Sequence, residues 1–231
     1  MRALDVMTDE VITIDVNATV AQVAKLFIDR GISAAPVIDG NGKMVGIISE
    51  GDLLRRAEIG TERRRSSWLE FIASNQNLAA EYVKSHAQKV GDLMTAEVIS
   101  VEESTPISEI AELLESRHIK RVPVLRKGKP VGIVSRANLI QALATVIDTR
   151  SKPATADGDN SIRTLLLAEL RGKRWAGANS PNVVVQNGVV HLWGYVLSEQ
   201  ERRALRVAAE NVPGVKSVED HTIETALLPL G

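Results

Sequence analysis

The sequence has no cysteine and only four histidines among its 231 residues. Without cysteine, the chain has no disulfide, no thiolate nucleophile and no sulfur ligand for a metal. None of the histidines has a nucleophile or an orienting acid at a recognisable spacing; they are His86, His118, His191 and His221. We therefore expect no metal site, no catalytic residue set and no required cofactor.

The sequence also lacks the glycine-rich phosphate loops of nucleotide hydrolases, since neither GxGxxG nor GxxxxGKS/T occurs. No apolar run approaches the roughly 18 residues of a membrane span. The N-terminal MRALDVMTDE carries acids where a secretory signal needs an apolar stretch. These absences predict a non-enzymatic, cytoplasmic protein.

Charge of one sign is not in excess, because 28 basic residues are balanced by 29 acidic ones. Proteins that bind nucleic acid usually carry a broad basic face, so we do not expect nucleic acid as a partner. The densest charge is a group of five arginines between residues 55 and 65, for which we expect a solvated helix face.

The first two thirds of the chain contains the same pattern twice. MTDEVITID at 7–15 returns as MTAEVISVE at 94–102. Each copy continues through an Ile-x-x-x-Pro-Val element, ISAAPV and then IKRVPV, and ends in VGIISEGDLL or VGIVSRANLI. A unit present only twice favours pseudo-twofold packing of the copies, which creates two related clefts at their junction.

Each copy alternates strand and helix in the order β-α-β-β-α. The first strand is predicted around Val11, Ile12 and Ile14, and two further strands at 35–38 and 44–49. The glycines and asparagine between the last two predict a hairpin turn. The fold class is therefore α/β (α+β), with two such repeats.

Helix starts follow from capping residues. Asn17 is the predicted N-cap of the first helix. In the second copy Ser104 or Thr105 takes that role, with Pro106 in the first turn, where its missing N–H costs nothing. The last helix of the first repeat should begin near Ser49.

The repeats and their surroundings divide the chain into five parts. The repeats span 1–56 and 92–147, separated by a helical segment at 57–91. That segment either forms a helical hairpin against the repeat core or a dimer interface. A small, polar linker at 148–160 leads to a second domain at 161–226.

The second domain has the predicted order α-β-β-α-β. A helix at 161–173 precedes strands at 182–186 and 189–196, joined by the hairpin signal Asn187-Gly188. A capping box then opens a helix, and a last strand follows; the residues are Ser198, Glu201, Asn211 at the helix end and Val215 at the strand start.

Ser49 and Asp52 stand where a strand gives way to a helix. Free backbone N–H groups at such a junction bind anions, and Ser49 can donate to a phosphate. Asp52 can accept both hydroxyls of a ribose. The alternative is a capping box, because Ser-x-x-Asp caps a helix without any ligand.

The doubled MT segment, the Ile-x-x-x-Pro-Val element and the terminal Gly-x-x-Ser-x-x-Asp together resemble a tandem pair of CBS domains. The resemblance implies a two-cleft module that dimerises and binds AMP, ADP, ATP or S-adenosylmethionine as a regulatory ligand. Ser49 and Asp52 would then hold phosphate and ribose in the first cleft. The complete first-cleft set is Val11, Ser33, Ala34, Pro36, Ser49 and Asp52.

The second copy departs from the family pattern, because Asn138 stands where the family has Asp. Asparagine has one acceptor and no charge, so its grip on a diol should be weaker. Three cationic side chains are predicted around the same cleft, and arginine binds phosphate well through its forked donors. The alternative is that these cations form a solvated, partly ion-paired face. The second-cleft set is Val98, Lys120, Arg121, Pro123, Ser135, Arg136 and Asn138. His118, which aligns with Gly31, should line the same cleft.

In the second domain, apolar residues alternate with aromatic ones along NGVVHLWGYV. Period two puts His191, Trp193 and Tyr195 on one sheet face, which we expect to be open because two helices cover only the other face. This strand and the VPGVKSVED segment resemble a BON domain, which implies a contact surface for phospholipid or a protein partner. Alternatively, the aromatic residues pack against the repeats or a sister chain.

Two functions fit these features. The first is a regulatory sensor, of a type found in bacteria, in which nucleotide binding to a homodimeric CBS pair shifts the position of the BON domain. The alternative is a structural or membrane-associating adaptor, in which the repeats dimerise and the BON sheet binds lipid or protein.

Overall fold

A computed structural model of the chain describes residues 1–54, 60–61, 82–83, 85–148, 156–176 and 181–225. The arginines between 55 and 65, most of the helical segment predicted at 57–91 and much of the linker at 148–160 lie outside these residues. In the described residues, no helix is both long and apolar enough to cross a membrane.

The chain divides into two compact units that cut across the repeats. One unit comprises Met1–Glu10, Val101–Val124 and Gly132–Gly231. The other comprises Val11–Ser100 and Leu125–Val131. The second domain therefore belongs to the same unit as most of the second repeat and the N-terminal residues.

The first repeat has the predicted β-α-β-β-α order. After a short helix α1 (Ala3–Val6), its elements are β1 (Ile14–Asp15), α2 (Val20–Arg30), β2 (Ala34–Ile38), β3 (Met44–Ser49) and α3 (Glu50–Leu53). β1 pairs in parallel with β2, which pairs antiparallel with β3. The core forms where Val37 and Ile48 of the sheet meet Val23 and Phe27 of α2.

The second repeat has the same order, so the α/β class is confirmed. A short helix α4 (Val90–Leu93) precedes it, and its elements are β4 (Val101–Glu102), α5 (Ile107–Ser116), β5 (Arg121–Arg126), β6 (Lys129–Ser135) and α6 (Arg136–Asp148). The strands form one sheet in the order β4-β5-β6. Ile110 and Leu114 of α5 are buried, as are Val122 and Val124 of β5.

The start of the first repeat differs from the prediction. Val11 and Ile12 lie outside β1, which has only two residues. The N-cap of α2 is Thr19 rather than Asn17, because Thr19 and Gln22 form a capping box. The backbone N–H of Asn17 instead donates to Asp15 Oδ1 at 2.8 Å, which places Asn17 in the preceding turn.

The prediction of the corresponding N-cap in the second repeat was also wrong. Pro106 itself is the N-cap of α5, in an extended conformation that proline adopts readily. Thr105 Oγ1 accepts from the backbone N–H of Glu102 at 3.2 Å, so its side chain serves the turn after β4.

The second domain follows the predicted α-β-β-α-β order. Its elements are α7 (Ala156–Leu170), a 3₁₀ turn (Arg174–Ala176), β7 (Asn182–Gln186), β8 (Val189–Val196), α8 (Glu199–Glu210) and β9 (Ser217–Glu224). The hairpin of β7 and β8 has the predicted strand bounds, because Asn187 and Gly188 adopt the positive φ angles of 56° and 79° that the tight turn requires.

Three bounds in this domain differ from the prediction; one is the end of α7, which lies at Leu170 rather than at 173. α7 begins five residues before the predicted 161, and Asp159 in its early turns accepts from the backbone N–H groups of Asn187 and Gly188, both at 2.8 Å. The last strand starts at Ser217 rather than Val215, because the Val215 N–H donates to Val212 O in a turn. The apolar face of the sheet packs on α7 and α8, with Val190, Leu192 and Val196 fully buried.

Candidate functional site

The turn from β3 to α3 holds the two polar residues predicted to bind nucleotide. Ser49 donates from both its backbone N–H and its Oγ to Asp52 Oδ2, each at 2.8 Å. This is the capping-box geometry that formed the alternative explanation of the motif. Both bonds end on one carboxylate oxygen, and a carboxylate has a second oxygen that can accept hydrogen bonds. Capping and diol binding are therefore compatible roles for Asp52.

The first-cleft residues other than Val11 lie on the β2–β3 hairpin, directly before it or directly after it: Ser33, Ala34, Pro36, Ser49 and Asp52. Ala34 lies opposite Ser49 in the strand register, and Ser33 O accepts from the Glu50 N–H at 3.0 Å. Because side chains alternate along a strand, Ala34 and Pro36 share the face opposite the core residue Val37. Val11 is half-buried before β1, and its place in the cleft stays a prediction.

The second repeat builds the same turn with asparagine. Ser135 donates from its N–H and its Oγ to Asn138 Oδ1, at 2.8 and 2.6 Å. The Arg136 N–H donates to Lys120 O at 3.3 Å, as Glu50 does to Ser33 in the first repeat. Asn138 has only one side-chain oxygen, which both Ser135 bonds occupy, and its side chain is buried. The turn is thus equivalent in shape and different in acceptor capacity.

The three cations of the second cleft differ in their surroundings. Lys120 and Arg136 are exposed, whereas Arg121 is half-buried at the start of β5. Arg136 Nη2 donates to Leu114 O at 3.3 Å, which holds this guanidinium near the end of α5. A phosphate would have to compete with that bond or share the guanidinium, which has five donors.

The other second-cleft residues are Pro123 and Val98, which lie in different parts of the chain. Pro123 is buried within β5, and Val98 is half-buried in the irregular segment before β4. His118 has a φ of 53° in the turn after α5, and Gly31 has a φ of 59° after α2. The two are therefore structural equivalents, and the contact of His118 with the cleft stays a prediction.

Sequence reasoning missed an exchange of strand segments. Thr8, in the first MT segment, pairs with Ile133 of β6 through N–H to O bonds of 3.0 and 2.9 Å. Thr95, in the second MT segment, pairs in the same way with Ile47 of β3. Each MT segment thus extends the sheet edge of the other repeat. The repetition of MT itself was the available signal, and it was used only to recognise the repeat.

Two glycines make this exchange sterically feasible. A Cβ on Gly132 would collide with the Met7 side chain, and a Cβ on Gly46 would collide with that of Met94. Each methionine of an MT segment therefore lies directly over a glycine of the strand that the segment joins.

The aromatic face of the second domain is covered at one end and open at the other. His191 is fully buried, since β7 packs against α1 and α6 on this side. The predicted open face is therefore wrong for His191. Trp193 is half-buried and stacks on His221, with ring centroids 4.0 Å apart. Tyr195 is 60% exposed and lies opposite Ile223, which is also 60% exposed.

The described residues contain no group of three or more histidine, aspartate and glutamate side chains that could hold a metal ion. The two turns offer hydrogen-bond donors and acceptors at the ends of β3 and β6.

Comparison with known proteins identifies the modules. The CBS domain profile matches residues 3–58 and 90–145. Protein MJ1426 of Methanocaldococcus jannaschii is 34% identical over 150 residues, which cover 60% of this chain and 89% of that protein. The chain belongs to the CBS-domain family. Residues 158–224 match the BON domain profile, so a BON domain follows the CBS pair.

Plant relatives of the CBS pair add a ligand-bound structure. CBS domain-containing protein CBSX1, chloroplastic, of Arabidopsis thaliana is 34% identical over 136 residues, 54% of this chain. The chain spans only 56% of the length of CBSX1 and of its relative CBSX2. The crystal structure of CBSX2 in complex with AMP matches with a TM-score of 0.55 and 30% identity. That match covers 63% of this chain and 98% of the CBSX2 chain.

Proposed function

We propose that this protein is a non-enzymatic regulator that binds an adenosine-containing nucleotide at the turns of its CBS pair and transmits occupancy to its BON domain. The observation that carries the proposal is the Ser49–Asp52 turn, which places a carboxylate beside the apolar residues Ala34 and Pro36. The second oxygen of Asp52 can accept from a ribose, and the apolar residues can contact an adenine; a phosphate would have to take over the Ser49 O–H that donates to Asp52 in this structure. The AMP complex of CBSX2 supports this ligand class.

The mechanism is differential affinity. A ligand that contacts one arrangement of the repeats better than another shifts the population toward it. Homodimerisation through the CBS pair and a cytoplasmic location belong to the same proposal, and light scattering with and without AMP tests the dimer.

The ligand class is tested by thermal unfolding with AMP, ADP, ATP and S-adenosylmethionine. A ligand present at 100 times its Kd should stabilise the folded protein by about 2.7 kcal/mol, which raises the melting temperature by several degrees. No shift with any of the four would refute nucleotide binding.

The role of Asp52 is tested by Asp52→Asn. Asn138 forms the same cap in the second repeat, so this change should leave the turn folded and remove only the charge and the second acceptor oxygen. We expect affinity for AMP at the first turn to fall about tenfold, equivalent to about 1.4 kcal/mol. Asp29→Asn, at an exposed position of α2, is the matched control. Equal AMP affinity of Asp52→Asn and wild type would leave Asp52 with a capping role alone.

A membrane or protein adaptor is the second candidate, and the exposed pair Tyr195 and Ile223 favours it. Flotation with phosphatidylglycerol vesicles should then recover the wild-type protein and lose Tyr195→Ala. Val207→Ala, which changes an exposed apolar residue of α8, is the control. Absence of wild-type protein from the floated fraction would refute lipid binding.

A further inference from the structure

Arg163 is a buried arginine that joins two parts of the chain far apart in sequence. Its Nε donates to Val183 O of β7 at 2.9 Å, and its Nη2 donates to Met7 O at 2.7 Å. The residue is 6% exposed. Burial lowers the pKa of Arg163, and the charges of Asp9 and Asp5 oppose that effect. A guanidinium held this deeply needs specific partners, and its fork spans the two carbonyls.

Met7 O belongs to the segment that completes the second repeat. The next residue, Thr8, is bonded to Ile133 of β6 through both backbone groups. Ile133 lies two residues before Ser135, which is bonded to Asn138. Thr8 Oγ1 itself lies 3.5 Å from Asn138 Nδ2. A continuous series of contacts thus leads from Arg163 of the BON domain to the turn of the second cleft.

A second contact runs parallel to the first. Asn182 of β7 donates from Nδ2 to Gln141 Oε1 of α6 at 2.6 Å. Gln141 follows Asn138 by about one helical turn on the helix that begins at Arg136. The adjacent residues Asn182 and Val183 therefore connect to the two sides of the second-cleft turn, the Thr8 segment and α6.

We propose that Arg163 is a positioning residue of the second cleft: by holding Met7 O, it fixes Thr8 beside Asn138, so that the nucleotide affinity of this cleft depends on the BON domain. The inference rests on the proposed nucleotide-binding function and names its route to the BON domain. Coupling free energies are reciprocal, so a nucleotide in the second cleft also stabilises the contact of Arg163 with Met7.

The other exchanged segment, which contains Thr95 and pairs with the first repeat, serves as an internal control for the effect of Arg163. Thr95 and Ile47 form the same backbone bridge as Thr8 and Ile133. Arg163 contacts Met7 O, in the segment of Thr8. Loss of Arg163 should therefore affect the Thr8 bridge and spare the Thr95 bridge.

The first readout needs no ligand. In the full-length protein, amide hydrogen exchange at Thr8 and Ile133 should accelerate about tenfold or more in Arg163→Gln, while exchange at Thr95 and Ile47 stays at the wild-type rate. Arg202→Gln is the matched control, because Arg202 donates to Thr222 O within the BON domain. Unchanged exchange at Thr8 and Ile133, or an equal acceleration in Arg202→Gln, overturns the inference whatever the protein binds.

The second readout is AMP affinity, measured calorimetrically in the Asp52→Ala background, which removes the side-chain acceptor of the first cleft so that the second cleft dominates. Arg163→Gln should weaken this binding about fivefold or more, and Arg163→Lys, which keeps the charge but not the fork, should lie between it and wild type. The Asn138→Ala background reports the first cleft, where Arg163→Gln should change affinity less than about twofold. Equal losses in both clefts overturn the positioning role, and absence of AMP binding by the wild type overturns the proposed function instead.

Discussion

Asp52 and Asn138 occupy the same position of the same turn and differ in one chemical group. Both accept two hydrogen bonds from the preceding serine, from its N–H and its Oγ. The aspartate keeps a second oxygen and a negative charge, whereas the asparagine has a donor there. The two turns therefore share their hydrogen-bond geometry and differ in one side-chain atom, which is an acceptor oxygen in Asp52 and a donor nitrogen in Asn138.

Asn138→Asp should give the second cleft the acceptor that it lacks. We expect AMP to bind this cleft about tenfold more tightly, because charge-assisted hydrogen bonds to the ribose replace a weaker contact. Without ligand the variant should melt slightly lower, since the new carboxylate is buried. Asn41→Asp, which adds the same charge at an exposed turn, is the control, and calorimetry with AMP gives both affinities. Unaltered affinity in Asn138→Asp would contradict a diol-binding role for this position.

At the scale of helices and strands, a feature could be predicted when adjacent residues alone determine it. Asn187-Gly188 fixed the β7–β8 hairpin because its two positive φ angles suit few other residues. The cap of α2 was misplaced because Asn17 and Thr19 are both good caps, and only Gln22 decides between them. The Thr8–Ile133 bridge was missed because it joins residues 125 positions apart, to which no local pattern points.

The aromatic strand β8 also shows that a local sequence pattern does not reveal contacts with residues far away in the sequence. Period two correctly separated His191, Trp193 and Tyr195 from the apolar face. The pattern carries no information on what covers a face, and β7 packs there against α1 and α6. The candidate turn itself was predictable, since Ser-x-x-Asp is contiguous in sequence.

The exchanged segments can be tested through the glycines beneath them. Gly132→Ala should destabilise the protein by about 1–3 kcal/mol, because the added Cβ displaces Met7 from the strand that it covers. Gly46→Ala should act in the same way through Met94. Gly40→Ala is the control, since nothing lies within 4 Å of a Cβ at that position. Urea unfolding compares the three, and equal stability of Gly132→Ala and Gly40→Ala would contradict the packing of Met7 over Gly132.

At the scale of the whole molecule, the BON domain shares a compact unit with the N-terminal segment and most of the second repeat. Arg163 connects it to the N-terminal segment at Met7, and Asn182 connects it to the second repeat at Gln141. In the regulator that we propose, the route from the CBS pair to the BON domain runs through these packed residues and begins at the second cleft. Under that proposal we expect the first cleft to retain the nucleoside and the second to transmit its occupancy.

The central claim is that the CBS pair binds an adenine nucleotide at two unequal clefts, and calorimetric titration of the full-length protein with AMP tests it most directly. We expect two classes of site, with the tighter class weakened in Asp52→Asn and preserved in Asp29→Asn. Absence of binding heat over the range of temperatures measured, or two equal sites that Asp52→Asn leaves unchanged, would contradict the account.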